Sequence, residues 1–203
     1  MKVSIIDYDC GNIVSLRNAL EHLGAQVTVT DESADFQNSD KIILPGVGAF
    51  GYGMANLRKK NLIDKLSEAV IHKKIPVLGI CLGAQLMLST GEEGAGDKGL
   101  DWVAGDVKKI ESTGKSNRVP HVGWNHTHFV KDSLFAKKGD DQIFYYTHSY
   151  FMDLHDTNHM IAKCDYAHGF TSIFQKDNMW GCQFHPEKSQ KSGLEFLAHF
   201  LNM

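Results

Sequence analysis

The sequence predicts an α/β fold in which helices flank a largely parallel central sheet and further antiparallel strands follow in the second half. In the first half, short apolar segments alternate with helical segments, which is typical of parallel strands joined by crossover helices. From Trp102 onward, short strand-like segments follow one another with turns between them, which favours antiparallel pairing. No stretch has the composition of a linker and no repeat is visible, so we expect residues 1–203 to form a single domain.

The first half contains four predicted strands, at residues 3–6, 26–30, 41–44 and 75–80. Helices are predicted from apolar positions that recur with helical spacing, over residues 13–23 and 54–72 and from Leu82 onward. Gly24 is the expected C-terminal cap of the first helix. Residues 31–40 are polar and indicate a loop with room for one helical turn.

The second half is predicted to be mostly strands, at residues 102–110, 142–148, 160–165, 171–175 and 179–184. A glycine-rich loop that contains Glu92 and Glu93 and runs to Gly99 comes before them. A last helix is predicted over residues 192–201, where apolar residues again recur with helical spacing.

Composition excludes several classes of protein. The chain is 42% hydrophobic and 22% charged, and its net charge of −3 gives no general attraction to nucleic acid or to a membrane surface. No apolar run approaches the ~20 residues of a membrane span, and the N-terminal segment becomes polar too early for a signal peptide. The four cysteines show no CxxC spacing, so we expect free thiols in a cytoplasmic protein.

The segment around Cys81 has the strongest chemical signal. Cys81 stands between a predicted strand and a predicted helix and is flanked by Gly79 and Gly83, which is the G-x-nucleophile-x-G pattern with cysteine in place of serine. Helix N–H groups beside such a corner favour a thiolate, although a buried structural cysteine at a tight turn would show the same three residues. Asp7 and Gly46 also follow predicted strands, so we expect all three loops at one edge of the sheet.

A second signal lies near the end of the chain, where His185, Pro186 and Glu187 follow a predicted strand. A carboxylate two residues after a histidine can orient its imidazole, as the acidic member of a catalytic triad does. A His-Pro-Glu segment alone is more often a surface turn. The segment at residues 145–150, YYTHSY, also ends a predicted strand and places polar and aromatic groups at an edge of the sheet.

Together, GICLGAQ and the later FHPE resemble the class I (triad) glutamine amidotransferases, with the chain order Cys, His, Glu. The resemblance implies their flavodoxin-like fold. Five further segments, in the right order along nearly the whole chain, resemble the glutaminase subunits of imidazole glycerol phosphate synthase, a histidine-biosynthesis enzyme. They are IDYDCGN at 6–12, LPGVGAF at 44–50, VPHVGWN at 119–125, THSY at 147–150 and QFHPEKSQ at 183–190. Two positions depart from the pattern: Asp9 stands where glycine is usual, and Ala84 where methionine is usual.

The resemblance implies roles for individual residues. Cys81 would be the nucleophile, His185 the base and Glu187 the group that orients the base. The oxyanion would be held by backbone N–H groups of Leu82 and of a second glycine-rich loop, at residues 45–48, through Val47 or Gly48. The glutamine-binding residues would be Gly46, Gln85, Glu93, His148, Ser149 and Tyr150. Taken alone, Gln85 could equally be a solvated helix position, and Glu93 a surface charge.

The resemblance also implies a partner. The acceptor of the ammonia would lie on a separate (β/α)8 cyclase subunit, which makes imidazole glycerol phosphate and a carboxamide ribonucleotide, so we expect a heterodimer. Asn12, Trp124 and Lys188 match interface positions, although Trp124 could instead be a core aromatic residue. We expect no cofactor and no metal, because the spaced pairs His126 and His128, and His155 and His159, lack a complete ligand set.

Three other functions are consistent with parts of the sequence. A paralogous glutaminase subunit could feed ammonia to a surface-sugar amination system, and the identity of the partner would distinguish it. A non-catalytic scaffold on the same fold is disfavoured by the intact Cys81, His185 and Glu187. A cysteine peptidase or deglycase of the same fold class is disfavoured by the FHPE segment and by the Pro-Gly-Val-Gly loop.

Overall fold

The computed structural model describes residues 1–94, 96–112 and 117–203, and strands alternate with helices in its first half. The strands are β1 (Lys2–Ile6), β2 (Gln26–Thr30), β3 (Lys41–Leu44), β4 (Val77–Ile80), β5 (Leu88–Gly91), β6 (Asp97–Lys98), β7 (Val103–Lys109), β8 (His121–Phe129), β9 (Asp141–His148), β10 (Tyr150–Leu154), β11 (Met160–Cys164), β12 (Phe170–Lys176) and β13 (Met179–Cys182). The helices are α1 (Ile13–His22), α2 (Ser33–Phe36), α3 (Phe50–Lys59), α4 (Ile63–Ser67), α5 (Leu82–Leu86) and α6 (Gln190–Leu201). A π-helical turn at Glu68–His72 and 3-10 turns at Thr157–His159 and Pro186–Lys188 complete them.

The described strands join in one sheet whose centre is parallel. The order β2-β1-β3-β4-β13 is parallel throughout. Beyond β13 the sheet continues through β12, β10 and β7 with antiparallel pairing. A second antiparallel branch, β11-β8-β9, extends from β12. The predicted architecture, parallel first and antiparallel later, is therefore confirmed.

Helices cover both faces of the parallel strands, so these strands are almost continuously apolar. In β3, Ile43 faces the side covered by α1 and α6, whereas Ile42 and Leu44 face the side covered by α3 and α4. The strand β4 alternates in the same way, with Leu78 and Ile80 toward α1 and α6. The strand that ends at Cys81, β4, therefore lies inside the sheet, between β3 and β13.

The helical region predicted over residues 54–72 was wrong in extent, and the helix predicted from Leu82 begins as expected but is short. The helical region predicted over 54–72 begins earlier, at Phe50, and is broken at Asn61, whose φ of 53° lies in the left-handed region and ends the helical turns. The helix predicted from Leu82 stops at Leu86, because the chain then extends as β5 and pairs in parallel with β7. An apolar run does not distinguish a buried helix from a buried strand, so the sequence pattern could not show this change.

Besides β5, two more strands were missed, and one predicted loop contains a strand. The sequence pattern did not show β8 and β10, because their polar and aromatic residues lack a clear alternation. In the loop predicted up to Gly99, β6 pairs with β5 as a short hairpin, and position 95 of that loop lies outside the described residues. The single helical turn expected within 31–40 is α2. None of the helices in the described ranges is long and apolar enough to cross a membrane.

Candidate active site

Cys81 occupies the corner between β4 and α5. Its backbone has φ 52° and ψ −111°, a conformation that costs about 1–3 kcal/mol in a residue other than glycine and that is found preferentially at functional sites. The flanking glycines are required by close packing. A Cβ at Gly83 would lie 1.8 Å from the Leu44 carbonyl oxygen, and one at Gly79 would lie 2.6 Å from Cα of Ala84. The two glycines therefore allow the Cys81 corner to pack closely against the end of β3 and the start of α5, as their spacing predicts.

The His-Pro-Glu segment lies beside this corner because β13 pairs in parallel with β4, with Cys182 opposite Ile80. Nδ1 of His185 lies 2.9 Å from Oε1 of Glu187, and both side chains are buried. A carboxylate oxygen accepts, so Nδ1 donates and Nε2 is the free position of the ring. Within the described residues, Nε2 makes no hydrogen bond.

Electrostatics favours the protonated form of His185. Burial alone would lower the pKa of this imidazole, but the charge of the Cys81 sulfur and the carboxylate of Glu187 together raise its pKa to about 10. A cation at this position is stabilised only if negative charge is close by. The arrangement therefore suits a thiolate and an imidazolium that share one buried environment.

A cavity of about 260 Å³ opens at this corner. The residues predicted to form the oxyanion hole line it together with most of those predicted to bind glutamine. The lining residues are Val47, Gly48, Cys81, Leu82, Gln85, Glu93, Thr147, His148, Ser149, Tyr150 and His185. Two predicted residues lie behind the wall: Glu187 contacts the far side of His185, and Gly46 packs so closely that a Cβ there would lie 2.5 Å from the Gly83 nitrogen.

Several of the lining side chains are held by hydrogen bonds. Gln85 is 4% exposed, so it is not a solvated helix position, and its Nε2 donates to the Tyr150 carbonyl at 2.8 Å. Oε2 of Glu93 accepts from the backbone N–H of Phe50 at 2.7 Å, so this carboxylate lies at the start of α3. Nδ1 of His148 also bonds the Tyr150 carbonyl, at 2.8 Å. These hydrogen bonds fix the positions of three polar side chains in the wall of the cavity.

Comparison with known proteins relates this site to a family. A family model described as glutamine amidotransferase class-I matches residues 4–203. The imidazole glycerol phosphate synthase subunit HisH 2 of Vibrio vulnificus is 44% identical over 204 residues, covering 100% of this chain and 94% of the relative. The protein of the same name from Pseudomonas aeruginosa is 39% identical over 202 residues, covering 99% of each chain. The chain belongs to the HisH family of class I glutamine amidotransferases.

A solved structure described as PurLQS from Thermotoga maritima has the same fold as this HisH-family chain. It superposes with a TM-score of 0.75, covering 99% of this chain and 97% of that one, at 16% sequence identity. At this identity the likeness concerns the fold alone. Together with the family model that matches residues 4–203, it confirms the predicted class I glutamine amidotransferase fold.

The HisH-family site contains polar groups that the sequence pattern did not single out. Nε2 of Gln183 lies 3.7 Å from the Cys81 sulfur, and Nδ1 of His121 lies 3.0 Å from Nε2 of His148. The hydroxyl of Tyr8 donates to the Pro45 carbonyl at the start of the glycine-rich loop. Gln183 has a signal in retrospect, because it stands two residues before His185 and so points to the same side of an extended chain.

The two positions that depart from the HisH pattern have different surroundings. Asp9 has φ 62°, a left-handed conformation that glycine adopts without strain and aspartate more readily than most residues. Its carboxylate lies 3.3 Å from Nζ of Lys60. Ala84 is fully buried against Gly79, and nothing in the structure explains the change from methionine.

The residues predicted at the partner interface are solvent-accessible or lie at the edge of the site. Trp124 is 48% exposed and packs edge-on against Tyr145, with ring centroids 6.0 Å apart, so it is not a core aromatic residue. Nζ of Lys188 lies 6.0 Å from the centroid of the same Tyr145 ring. Asn12 is the residue that precedes α1, and α1 packs against the turn Pro186–Lys188.

The histidine pairs that could have suggested a metal bind carboxylates instead. Nδ1 of His126 lies 2.6 Å from Asp141, and Nε2 of His155 lies 2.8 Å from Asp106. Across the described ranges, no group of three or more His, Cys, Asp or Glu side chains is arranged to hold a metal ion.

Proposed function

We propose that this chain is the glutaminase subunit of an imidazole glycerol phosphate synthase and hydrolyses L-glutamine at Cys81. The ammonia passes to a cyclase subunit in histidine biosynthesis. The observation that carries the proposal is a strained cysteine that shares one cavity with a histidine whose Nδ1 is held by Glu187. The HisH relatives, whose names include imidazole glycerol phosphate synthase, support this pathway over a surface-sugar amination system.

The reaction follows from the positions of the charges. The Cys81 sulfur attacks the side-chain amide carbon of glutamine, and the carbonyl becomes a tetrahedral oxyanion. As the carbon–nitrogen bond breaks, Nε2–H of His185 gives its proton to the departing nitrogen, which leaves as ammonia. His185 then takes a proton from water as that water attacks the thioester. Glutamate leaves, and the Cys81 thiolate and the His185 imidazolium are restored.

Backbone N–H groups would stabilise the oxyanion. The N–H of Leu82 is available because the first N–H groups of a helix have no acceptor within that helix. The loop with Val47 and Gly48 lines the same cavity, and there Gly48 has a left-handed φ of +112° and Val47 is 40% exposed. One donor of this kind is worth roughly 10²–10³ in rate, so the loop can control the reaction.

The β8–β9 hairpin carries exposed apolar side chains, and Thr147 and His148 at the end of β9 line the cavity. On the β8–β9 hairpin, Trp124, Val122 and Ile143 are large apolar side chains that are 43–56% exposed. Lys188 extends over Tyr145 at the same place, one residue after the Glu187 of the triad. An exposed apolar patch rimmed by charge is typical of a protein interface. We therefore propose that this face, with Asn12, binds a (β/α)8 cyclase subunit.

The test is release of glutamate from glutamine by the chain alone, with a barrel cyclase subunit, and with the cyclase and its nucleotide ligand. We expect slow hydrolysis by the chain alone and an increase of at least tenfold in the liganded complex. The Cys81→Ala variant should release no glutamate, while its complex still makes imidazole glycerol phosphate from added ammonium. Glutamate release by Cys81→Ala at the wild-type rate would exclude the proposed mechanism.

A further inference from the structure

Gln183 is a fully buried amide directly behind the nucleophile. It lies between the end of β13 and His185, its side chain has no exposed surface, and its backbone N–H bonds the Ser172 carbonyl at 2.9 Å. A side-chain amide offers two donor hydrogens and one acceptor oxygen, and buried polar groups in proteins nearly always use them. The partners of Gln183 therefore show what the amide does.

The hydrogen-bond network fixes which end of the amide faces the sulfur. A backbone carbonyl can only accept, so the atom of Gln85 that lies 2.8 Å from the Tyr150 carbonyl is its nitrogen. The same nitrogen lies 3.1 Å from one end of the Gln183 amide, which must then be the oxygen. The NH₂ group of Gln183 is left to face the Cys81 sulfur, at 3.7 Å.

The network that sets this orientation is itself fixed. The Tyr150 carbonyl that orients Gln85 also accepts from Nδ1 of His148, at 2.8 Å. Nε2 of His148 is then the acceptor for Nδ1–H of His121, at 3.0 Å. Each of these hydrogen bonds has only one consistent direction of donation. If the Gln183 amide were rotated by half a turn, its NH₂ group would face the NH₂ group of Gln85, and two donors would meet.

We propose that the Gln183 amide donates a hydrogen bond to the Cys81 sulfur, stabilising its thiolate and holding it toward the cavity. An N–H donor binds an anionic sulfur more strongly than a neutral thiol, so it favours the charged nucleophile. The amide does not titrate, and it keeps this donor when His185 has given its proton away. The inference rests on the proposed function for its catalytic meaning, but the thiol itself can be tested separately.

The first test is the pH dependence of alkylation of Cys81 by iodoacetamide in the full chain, followed by mass spectrometry. We expect Gln183→Met, which keeps the length of the side chain and removes the donor, to move the midpoint upward by about one pH unit. Alkylation below the midpoint should then be about tenfold slower. Gln175→Met, a matched change on β12 away from the site, should leave the midpoint unmoved.

A second measurement uses the unmodified chain and does not depend on the folding of a variant. In protein labelled with ¹⁵N at glutamine side chains, the Gln183 NH₂ protons should shift downfield as the Cys81 thiol is deprotonated. Absence of this shift, or a Gln183→Met alkylation profile equal to that of the wild type, would overturn the inference. If the profile moves but the wild-type complex releases no glutamate, the proposed function fails while the role of Gln183 at the thiol stands.

Discussion

The hydroxyl of Tyr8 donates a 2.5 Å hydrogen bond to the carbonyl of Pro45, which fastens the loop after β1 to the start of the glycine-rich loop after β3. Tyr8 is fully buried, and burial raises the pKa of its phenol, so the donor is present at any physiological pH. A Cβ on Gly46 would lie 2.6 Å from this hydroxyl. The near end of the loop is therefore fixed, while Val47 and Gly48 remain at the cavity.

We expect Tyr8→Phe to leave the Pro45 carbonyl without its partner and to lower the free energy of unfolding by about 1–3 kcal/mol. Glutamate release by the liganded complex should fall severalfold, because the loop would be less well placed. Urea unfolding and the glutamate assay measure the two effects. Tyr52→Phe is the matched control, since Tyr52 is 58% exposed. Equal behaviour of the two variants would show that the hydroxyl does not position the loop.

We expect Val47→Pro to remove the proposed oxyanion donor and to lower the activated rate of glutamate release by roughly 10²–10³. Glycines on both sides of Val47 permit its peptide to rotate at low cost, so a bound partner could favour the donating orientation. The rate is measured in the complex with the cyclase ligand present, and binding of the cyclase is measured in parallel. If the activated rate were unchanged, the oxyanion donor would be a group other than the N–H of Val47.

We expect His185→Asn to reduce glutamate release about as strongly as Cys81→Ala, and Glu187→Gln to be roughly 10²-fold less damaging. The base transfers protons, whereas the carboxylate orients it through the Nδ1 bond and raises its pKa. Initial rates and ammonium-dependent synthesis by the same complexes separate loss of chemistry from loss of structure. If all three variants released glutamate equally fast, the His-Pro-Glu segment would have only a structural role.

We expect the free energy of unfolding to fall as the pH is lowered from 7 to 5. Burial lowers the pKa of His148 to about 3, with a further lowering from His121, and burial lowers that of His121 to about 4. An unfolded histidine titrates near 6.5, so below this pH the unfolded chain binds more protons and gains stability over the folded chain. The urea midpoint of His148→Gln should depend less steeply on pH, whereas that of exposed His22→Gln should follow the wild type. If the urea midpoints of the wild type and both variants depended on pH in the same way, the lowered pKa assigned to His148 would be contradicted.

We expect Gly83→Ala to destabilise the fold by roughly 3 kcal/mol or more, because the new Cβ would overlap the backbone carbonyl of Leu44. Gly24→Ala is the control. No atom lies within 4 Å of a Cβ at Gly24, but its φ of +86° makes alanine cost about 1–2 kcal/mol. Thermal and urea unfolding measure the difference, and a smaller effect at Gly83 than at Gly24 would contradict the close packing at the corner.

The sequence was most informative where a chemical requirement leaves few choices of residue. Glycines at 79 and 83 around Cys81 predicted the corner, and its backbone angles and close contacts agree with that prediction. The parallel core followed from apolar runs separated by helical segments. The resemblance also placed Gln85, Glu93 and Tyr150 together, and all three line the cavity.

What the sequence did not show depends on contacts between distant parts of the chain. Pairing of β5 with β7 turns an apolar helix-like segment into a strand after Leu86. The role of Gln183 depends on which end of its amide Gln85 approaches, and no local pattern carries that information. Tyr8 and Pro45 meet only because β1 and β3 are neighbours in the sheet.

The parallel pairing of β4 with β13 has a consequence for synthesis of the protein. The thiol and the imidazole come from segments about a hundred residues apart, so they leave the ribosome roughly 5–20 s apart at ordinary elongation rates. A growing chain therefore carries Cys81 and an edge of β4 for seconds before β13, the strand that pairs with this edge, has been made. During that interval it has no base with which to hydrolyse glutamine, and its unpaired strand edge can associate with other chains until the last strand closes it.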